Sequence, residues 1–568
     1  MTISLKSSLF ALSLGLAGLG SGPGVAGVAA GAYLAAMHAA SESDFAKAAE
    51  YFTRALVGDP DNTEMMEEAV AAYVGLGRFD LALPLAERLA ATGTDSQIGA
   101  IVRLEQLAAA EDYQGVLDLL DNGSAHVAPL VDGLIRAWAE LGAGRSTEAL
   151  AEMDAVAEKA ATRAFGLYHK ALALALVGDY EGAEAILAGT GSDRLTLTRR
   201  GVIARAEILS QLERNADAAK LLTDTFGTDL DPALAELKAR LDAGEPLPMT
   251  VITDPRDGLA EVFFSVATAL NGDTPDGFVL GFTRTAEALQ PNHVDAILLS
   301  ASLLERLHRY DLAIATYDRI PASSPYFHVA ELGRADALRR DGQVEESIAV
   351  LQRLSETHDS IPAIFVTLGD ALRKSERYAE AATAYDRAIA LYGPPQESHW
   401  VVYFSRGIAE EREKNWDRAE ADFRTALKLR PDQPQVLNYL GYSYVEMQRN
   451  MDEALDMIQR AVAARPDDGY ITDSLGWVYY RLGRYDEAVV QMEKAAELVP
   501  VDPVINDHLG DVYWAVGRKR EAEFQWSRAL SFDPEEADAK RIRRKLEVGL
   551  DEVLKEEGAA PLALAKEG

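Results

Sequence analysis

Three copies of one five-residue pattern stand near the end of the chain, as Leu440-Gly441-Tyr442-Ser443-Tyr444, Leu475-Gly476-Trp477-Val478-Tyr479 and Leu509-Gly510-Asp511-Val512-Tyr513. The glycines of successive copies are 35 and 34 residues apart. A repeat of this length is one helix pair, which cannot bury its apolar side alone and has to stack on its neighbours. The sequence therefore predicts a stack of helix pairs.

The small residue of this pattern can be followed upstream at a spacing that is mostly 34 residues. The positions it takes are Ala36, Val70, Ala137, Ala171, Ala206, Ala267, Ala301, Ala335, Gly369, Gly407, Gly441, Gly476 and Gly510. The gap between Val70 and Ala137 leaves room for one degenerate unit with Tyr113, and the gap between Ala206 and Ala267 contains an interruption. We predict about 14 repeat-like units in all.

The order of residue types within a unit is a small residue, an aromatic, alanine, an aromatic, alanine and a closing proline such as Pro431 or Pro466. This order resembles the tetratricopeptide repeat, more closely after Val294 than before it. The resemblance implies an all-α fold: a TPR α-solenoid, in which antiparallel helix pairs form a right-handed superhelix.

The predicted organisation has five parts. They are a signal peptide (1–30), a degenerate N-terminal array (31–240), an irregular linker (241–258), a regular C-terminal array (259–536), and a capping helix with a tail (537–568). The linker is rich in proline and glycine, and the sequence leaves open whether it is a hinge or a rigid loop. The cap is predicted as one amphipathic segment from Glu535 to about Glu556, and its basic cluster, 540–545, is either a solvated face or a contact for an anionic partner.

The composition excludes several classes of function. The 56 basic and 90 acidic side chains give a formal net charge of -34, and such a field repels nucleic acid and anionic lipid. The absence of cysteine removes disulfides, thiolate metal ligands and lipid attachment through an N-terminal cysteine. The fold must therefore be stabilised by packing alone.

The first 30 residues have the layout of a secretory signal peptide. A single positive charge at Lys6 is followed by an 11-residue apolar run from Leu9 to Leu19, a Gly-Pro break, and small residues up to Ala30. The run is too short to span a membrane, which needs about 20 residues. The alternative is a poorly packed N-terminal helix. Cleavage is predicted after Ala26, Ala29 or Ala30, and export without disulfides favours the periplasm of a bacterium.

No motif predicts an enzyme. The chain lacks a phosphate-binding glycine loop, a dinucleotide fingerprint and paired histidines at metal-binding spacing, so we expect no catalytic residue, no metal and no cofactor. His508 lies beside Asp507 and Asp511, but such a neighbour is expected by chance in a chain with 90 acidic residues. The repeats also leave no room for a separate catalytic domain.

In proteins that the chain resembles, the first helix of each unit lines a concave groove that holds extended or helical peptides. Transferred to the last repeats, this resemblance predicts partner contacts at Asn438, Tyr442, Tyr470, Asp473, Trp477, Tyr480, Arg481, Asp507, Asp511 and Trp514. Aromatic residues would supply contact area, and carboxylates would favour a partner with Lys or Arg. Trp477 and Trp514 belong either to this groove or to the core.

A secondary basic patch is predicted on the same face further upstream. It consists of Arg339, Arg340, Arg373 and Lys374. The carboxylate-binding type of this repeat holds a partner's C-terminus with Lys and Asn, whereas this chain has Tyr442, Asp473 and Trp477 at three of the corresponding positions. We therefore do not expect it to capture an acidic C-terminus.

These patterns predict a non-enzymatic scaffold or adaptor that binds a protein or peptide in the periplasm. The resemblance extends to long tetratricopeptide proteins of the Gram-negative envelope, some of which are adaptors for proteases or assembly machines. The alternatives are a structural subunit of an envelope or secretion complex and, third, an enzyme of unknown type. We expect no nucleic-acid partner and no membrane span in the mature chain, and the sequence leaves the oligomeric state open.

The predicted export signal can be tested on the natural protein. Mass spectrometry of the purified mature chain should find a new N-terminus just after Ala26, Ala29 or Ala30. Recovery of intact Met1 or Thr2 would contradict export by a cleaved signal.

Overall fold

The computed structural model describes residues 25–189 and 195–559. Most of the predicted signal peptide, 1–24, and the last nine residues of the predicted tail lie outside this part of the chain. Within it there are 31 α-helices, a 3₁₀ turn at Glu397–His399 and no β-strand. The helices are α1 (Val25–Ser41), α2 (Phe45–Leu56), α3 (Thr63–Gly75), α4 (Phe79–Ala91), α5 (Gln97–Ala109), α6 (Tyr113–Asp121), α7 (Pro129–Gly142), α8 (Ser146–Glu158), α9 (Arg163–Leu176), α10 (Tyr180–Leu187), α11 (Arg199–Gln211), α12 (Asn215–Phe226), α13 (Pro232–Asp242), α14 (Pro255–Leu270), α15 (Asp276–Leu289), α16 (Val294–Arg306), α17 (Tyr310–Tyr317), α18 (Phe327–Arg340), α19 (Val344–Thr357), α20 (Pro362–Lys374), α21 (Tyr378–Leu391), α22 (Trp400–Arg412), α23 (Trp416–Leu429), α24 (Pro434–Glu446), α25 (Met451–Ala464), α26 (Gly469–Arg481), α27 (Tyr485–Leu498), α28 (Pro503–Ala515), α29 (Lys519–Leu530), α30 (Glu536–Val548) and α31 (Leu550–Glu556).

The all-α solenoid of helix pairs is confirmed. Each of the 13 small residues of the repeat pattern lies on the first helix of a pair, and 14 such pairs occur in the described residues, with α13 and the α30–α31 segment outside them. The degenerate unit predicted around Tyr113 is the pair α5 and α6. The glycines have the predicted role: a Cβ atom at Gly407 would lie 2.6 Å from Cε1 of Phe423 on the second helix of its pair.

The chain divides into two compact units, unit 1 up to Val350 and unit 2 from Leu351 onward. This boundary falls inside α19, about 100 residues after the linker that the sequence indicates as the division. The reason is a return of the chain within unit 1. After the linker, α14 packs on α7 and α9, and α15 packs on α3 and α5. In unit 1, α14 and α15 therefore cover first helices of the N-terminal array.

One tryptophan and one glycine allow this return. Trp138 on α7 is fully buried, and its indole N–H donates to Nδ1 of His169 at 3.0 Å. Gly258 on α14 lies directly against the Trp138 ring, in a position where a Cβ atom would overlap the indole carbons. The sequence places Gly258 at the end of an irregular linker, whereas the structure places it in the first turn of α14. The absence of a side chain at Gly258 lets α14 lie close to α7.

The segment between α13 and α14 is fastened along its length to α11. The backbone N–H of Leu247 donates to Ser210 at 2.8 Å, and that of Thr250 donates to Glu207 at 2.9 Å. Arg200 donates to the carbonyl of Val251 at 3.0 Å. The side chains of Leu247 and Val251 are buried. Of the two interpretations that the sequence leaves open, these bonds favour a rigid loop.

The contact of α14 with α7 gives a stability prediction. Gly258→Ala should lower the free energy of unfolding by about 3 kcal/mol or more, because the added methyl group must displace the buried Trp138 ring or the helix. Gly277→Ala is the matched control, since Gly277 lies in α15 with no atom within 4 Å of the added Cβ. Urea unfolding of both variants measures the difference. Equal midpoints would contradict the role of Gly258.

A buried carboxyl in α5 gives a pH prediction. Glu105 is 7% exposed, and burial raises its pKa to about 7. From about pH 4.5 to about pH 7 the unfolded chain releases a proton that the folded chain retains, so stability should fall as the pH rises. In the variant Glu105→Gln, the free energy of unfolding should decrease by roughly 3 kcal/mol less over this pH range than in the natural protein.

The measurement is urea unfolding of the natural protein and the variant at pH 5 and pH 8. The stabilising effect of Glu105→Gln should be larger at pH 8 than at pH 5. The exposed Glu236 on α13 supplies the control, Glu236→Gln, which should show no such dependence. A constant difference across this range would contradict a raised pKa at Glu105.

Candidate partner-binding surface

The predicted groove residues lie on the first helices α24, α26 and α28 of unit 2. Their side chains fall into a few register positions relative to Gly441, Gly476 and Gly510. Several of them contact a later helix of the same chain, and fewer are exposed to solvent. The structure thus separates residues that join the repeats from residues that a partner can touch.

Trp477 lies between repeats. Its side chain is 8% exposed and stacks on His508 at 4.0 Å and on Tyr480 at 4.8 Å between ring centroids. Its indole N–H donates to Oε1 of Glu446 at 2.7 Å. Tyr480 is buried to the same degree. Of the two alternatives for Trp477, groove or core, the structure places it in the core. Tyr480 stacks on Trp477 and likewise leaves little surface for a partner.

Asp473 is also used within the stack. Its carboxylate lies 3.1 Å from Nδ1 of His508 on the next first helix. Burial alone would lower the pKa of His508, but the attraction and hydrogen bond of Asp473 outweigh it, so the pKa is raised. The pair therefore forms a buried contact between α26 and α28, and it gives no support to a catalytic role of His508.

Asp507 and Asp511 form ion pairs with a lysine of α30. Nζ of Lys545 on α30 lies 2.8 Å from Asp507 and 2.6 Å from Asp511, and its side chain is fully buried. Arg541 adds a contact of 3.5 Å to Asp511. The sequence allows the basic cluster to be a solvated face or a contact for an anionic partner. Lys545 is neither, because its side chain is buried and its acidic partners belong to the same chain. A basic partner segment would meet carboxylates that are already paired.

Trp514 is covered by the same end of the chain. The cap predicted as one segment is two helices, and the break is at Gly549, where φ is +83°. A Cβ atom there would lie 2.5 Å from Cζ2 of Trp514, and the Trp514 indole N–H donates to Asp551 at 2.9 Å. Trp514 is half-buried beneath this turn.

The remaining predicted groove residues differ in accessibility. Tyr470 is 58% exposed, while Asn438, Tyr442 and Arg481 are half-buried. Burial, with the charges of Glu446 and Asp473, raises the pKa of Tyr442, so its hydroxyl stays protonated. The amide oxygen of Asn438 is buried with no hydrogen-bond partner in the described residues.

The predicted secondary basic patch divides between the two units. In unit 1, Arg339 and Arg340 both bind Asp336, at 2.6 and 2.7 Å. In unit 2, Arg373 lies 3.6 Å from Asp370 and donates to the Tyr385 hydroxyl, and Lys374 is exposed. The three guanidinium groups therefore have acidic neighbours within the chain.

An exposed row that the sequence analysis missed runs along unit 2. We call it the first-helix strip, and it consists of the residues six positions before each repeat glycine: Ala363, Val401, Gln435, Tyr470 and Val504. Val401 is 44% and Val504 is 46% exposed. Tyr470 was predicted from the sequence, and its register position would have identified Val401 and Val504. The strip repeats along α20, α22, α24, α26 and α28.

The part of the chain described by the structure shows neither a cluster of metal-binding side chains nor a membrane-spanning helix. It contains no group of three or more His, Asp or Glu side chains arranged to hold a metal ion. Among the same residues, no helix is both long enough and apolar enough to cross a membrane.

Comparison with known families identifies the repeats. Residues 33–97, 332–394, 366–434, 404–469 and 440–503 match the tetratricopeptide repeat family. These segments are tetratricopeptide repeats, a kind of repeat whose stacked helices provide extended surfaces for binding proteins.

Individual relatives are distant. A 155-residue segment is 26% identical to the human protein O-mannosyl-transferase TMTC1 and covers 27% of this chain and 18% of that protein's length. The solved structure of the APC/C hetero-tetramer Cut9-Hcn1 aligns over 92% of this chain and 96% of its own, with a TM-score of 0.37 and 16% identity. A tetratricopeptide repeat protein from Parabacteroides merdae aligns over 45% of this chain and 98% of its own, with a TM-score of 0.38 and 15% identity.

The Lys545 contact gives a prediction for the end of the array. Lys545→Met should destabilise the protein by about 3–5 kcal/mol, because it leaves two carboxylates without their buried ammonium partner. Lys540→Met on the same helix, where the side chain is 71% exposed, should change stability by less than about 0.5 kcal/mol. Denaturant unfolding monitored by tryptophan fluorescence compares them. Similar midpoints would show that Lys545 contributes no more than a surface charge.

Proposed function

We propose that this chain is a non-enzymatic protein-binding scaffold in the bacterial periplasm. It holds an extended or helical segment of a partner along the first-helix strip of unit 2. The single observation that carries the proposal is the exposure of Val401, Tyr470 and Val504 at one register position. Exposed side chains at a fixed place on successive repeats, apolar except at Gln435, offer a row of anchor points at regular spacing.

Unit 2 supports this assignment better than the N-terminal array of unit 1. In unit 1 the first helices α3, α5, α7 and α9 are covered by α14 and α15. In unit 2 the first helices keep the strip exposed from α22 to α28. A partner segment can therefore reach the strip without first displacing a part of the chain.

The chemistry of the partner follows from the surroundings of the strip. Glu446 has a side chain that is 45% exposed, and Asp467 is exposed three residues before Tyr470. Together with the net charge of -34, these groups favour a partner segment that carries apolar side chains with Lys or Arg between them. The periplasmic part of the proposal rests on the N-terminal sequence, and a protease or an assembly machine of the envelope is the kind of partner that an adaptor of this sort recruits.

A second candidate function is a structural subunit that is engaged through the opposite face. Val490 on α27 and Phe524 on α29 are 62% and 66% exposed. They are 34 residues apart and thus occupy the same position on the second helices of two neighbouring repeats. We call this pair the second-helix pair. Exposed apolar residues of this kind mark contact surfaces when they recur in register.

Two matched double variants distinguish these functions. Tyr470→Asp with Val504→Asp places charges on the first-helix strip, and Val490→Asp with Phe524→Asp does the same on the second-helix pair. All four side chains are exposed, so both variants should unfold within about 1 kcal/mol of the natural protein. Each is used as bait in envelope extract, and captured proteins are quantified by mass spectrometry.

For a scaffold that uses the strip, the first variant should lose its partner by at least about tenfold, while the second retains it. Loss through the second variant alone, with a partner in fixed stoichiometry, would favour the structural subunit. Partner sets that are unchanged in both variants would contradict both functions.

A further inference from the structure

Unit 1 contains a pocket that the scaffold function does not use. It lies between α9, the extended residues 195–198 and α14, and its volume is about 180 Å³. Its walls are apolar and include Phe165, Leu195, Leu197 and Phe264. A protein cavity of about 150 Å³ lined by apolar side chains is large enough to bind benzene. The pocket therefore has the capacity for one small aromatic molecule.

The base of the pocket is polar and carries a charge that is already balanced. Glu261 is 2% exposed, its Oε2 accepts from Arg200 at 2.6 Å, and its Oε1 accepts from the Tyr168 hydroxyl at 2.8 Å. Burial would raise the pKa of Glu261, but Arg200 outweighs this effect and holds the pKa well below its usual range. The carboxylate is thus ionised and paired, and a ligand cation would lose its hydration without meeting an unpaired charge.

Ser265 also lines the pocket, and its hydrogen bonds exclude a role as nucleophile. The Trp138 indole donates to Nδ1 of His169, so the proton of the neutral ring is on Nε2, which lies 3.2 Å from Ser265 Oγ. Burial lowers the pKa of His169 to about 4. Nε2 therefore donates to Ser265 and cannot take its proton. The Ser265 hydroxyl in turn donates to the carbonyl of Val262 at 3.1 Å.

These bonds leave hydrogen-bond acceptors facing the pocket. Ser265 Oγ accepts one bond, from His169, and has a second lone pair, and Oε1 of Glu261 accepts from Tyr168 with further capacity. Among the protein donors at the base, Tyr168 and His169 donate to these two atoms. A ligand that complements the site therefore brings a donor of its own.

We propose that this pocket binds a small neutral aromatic molecule that carries one N–H or O–H group. The ring fills the space between Phe165, Leu197 and Phe264, and the donor meets Ser265 or Glu261. The assignment is independent of the first-helix strip, because every lining residue belongs to unit 1. The pocket joins α9 to α14, so an occupant stabilises the packing of α14 in the folded state.

The test uses the full chain and indole as the probe, with 1-methylindole as a matched ligand that lacks the donor. Isothermal titration calorimetry should give saturable binding of indole with a dissociation constant on the order of 0.1 mM. 1-Methylindole should bind at least about fivefold more weakly, since it leaves the acceptors at the base without a partner. Equal affinities would overturn the donor assignment, and the absence of saturable binding would overturn the site.

Two tryptophan variants locate the binding. Ala269 lines the pocket and is exposed, so Ala269→Trp should fill the space and abolish indole binding without unfolding the protein. Ala235 is an exposed alanine on α13 away from the pocket, and Ala235→Trp should bind indole as the natural protein does. Thermal unfolding of both variants checks that they fold. Indole binding that survives Ala269→Trp would overturn the proposal.

A third arm distinguishes a free molecule from an aromatic side chain of a protein. A peptide with a central tryptophan and blocked ends is tested for displacement of indole. Weaker binding of the peptide than of indole supports a free ligand, because the pocket has room for the ring and little beyond it. A peptide that binds more tightly than indole would overturn the assignment to a free molecule.

Discussion

The contact between Trp138 and Gly258 is the constraint on which unit 1 depends. The absence of a side chain at Gly258 lets α14 lie on the indole, and the bond to His169 fixes the orientation of that indole. Residues more than 100 positions apart in the chain are thereby brought into one core. The helices that follow, α14 and α15, then cover the N-terminal first helices. Within unit 1, this packing decides which faces of the first helices stay accessible.

In unit 2, contacts within the chain also decide which surfaces stay accessible, but here the contacts are ion pairs. The buried carboxylates of the first helices pair with basic side chains of later helices: Asp473 with His508 on α28, and Asp507 and Asp511 with Lys545 on α30. Groups that resemble a recognition site in sequence are therefore part of the stack. What remains accessible is the first-helix strip, which is apolar except at Gln435.

The sequence was sufficient for the repeat architecture because the small residue and its spacing are local properties of each helix pair. Even the degenerate pair of α5 and α6 followed from the spacing between Val70 and Ala137. The site was less accessible to sequence reasoning. The register predicts that Tyr470 and Trp477 point toward the same general face, but exposure depends on the neighbouring repeat, and His508 covers only Trp477. The return of α14 to α7 left no periodic signal, since a glycine before a helix and a glycine under an indole look alike in sequence.

The buried Lys545 also occupies the outer edge of the last repeat. A stack of repeats can in principle continue onto a second copy, because its last first helix presents the same edge as every earlier one. In this chain that edge carries Asp507 and Asp511, and an incoming helix would have to bring an ammonium group to the same point after removing the one already there. A single lysine thus occupies, from within this chain, the edge on which a further repeat would stack.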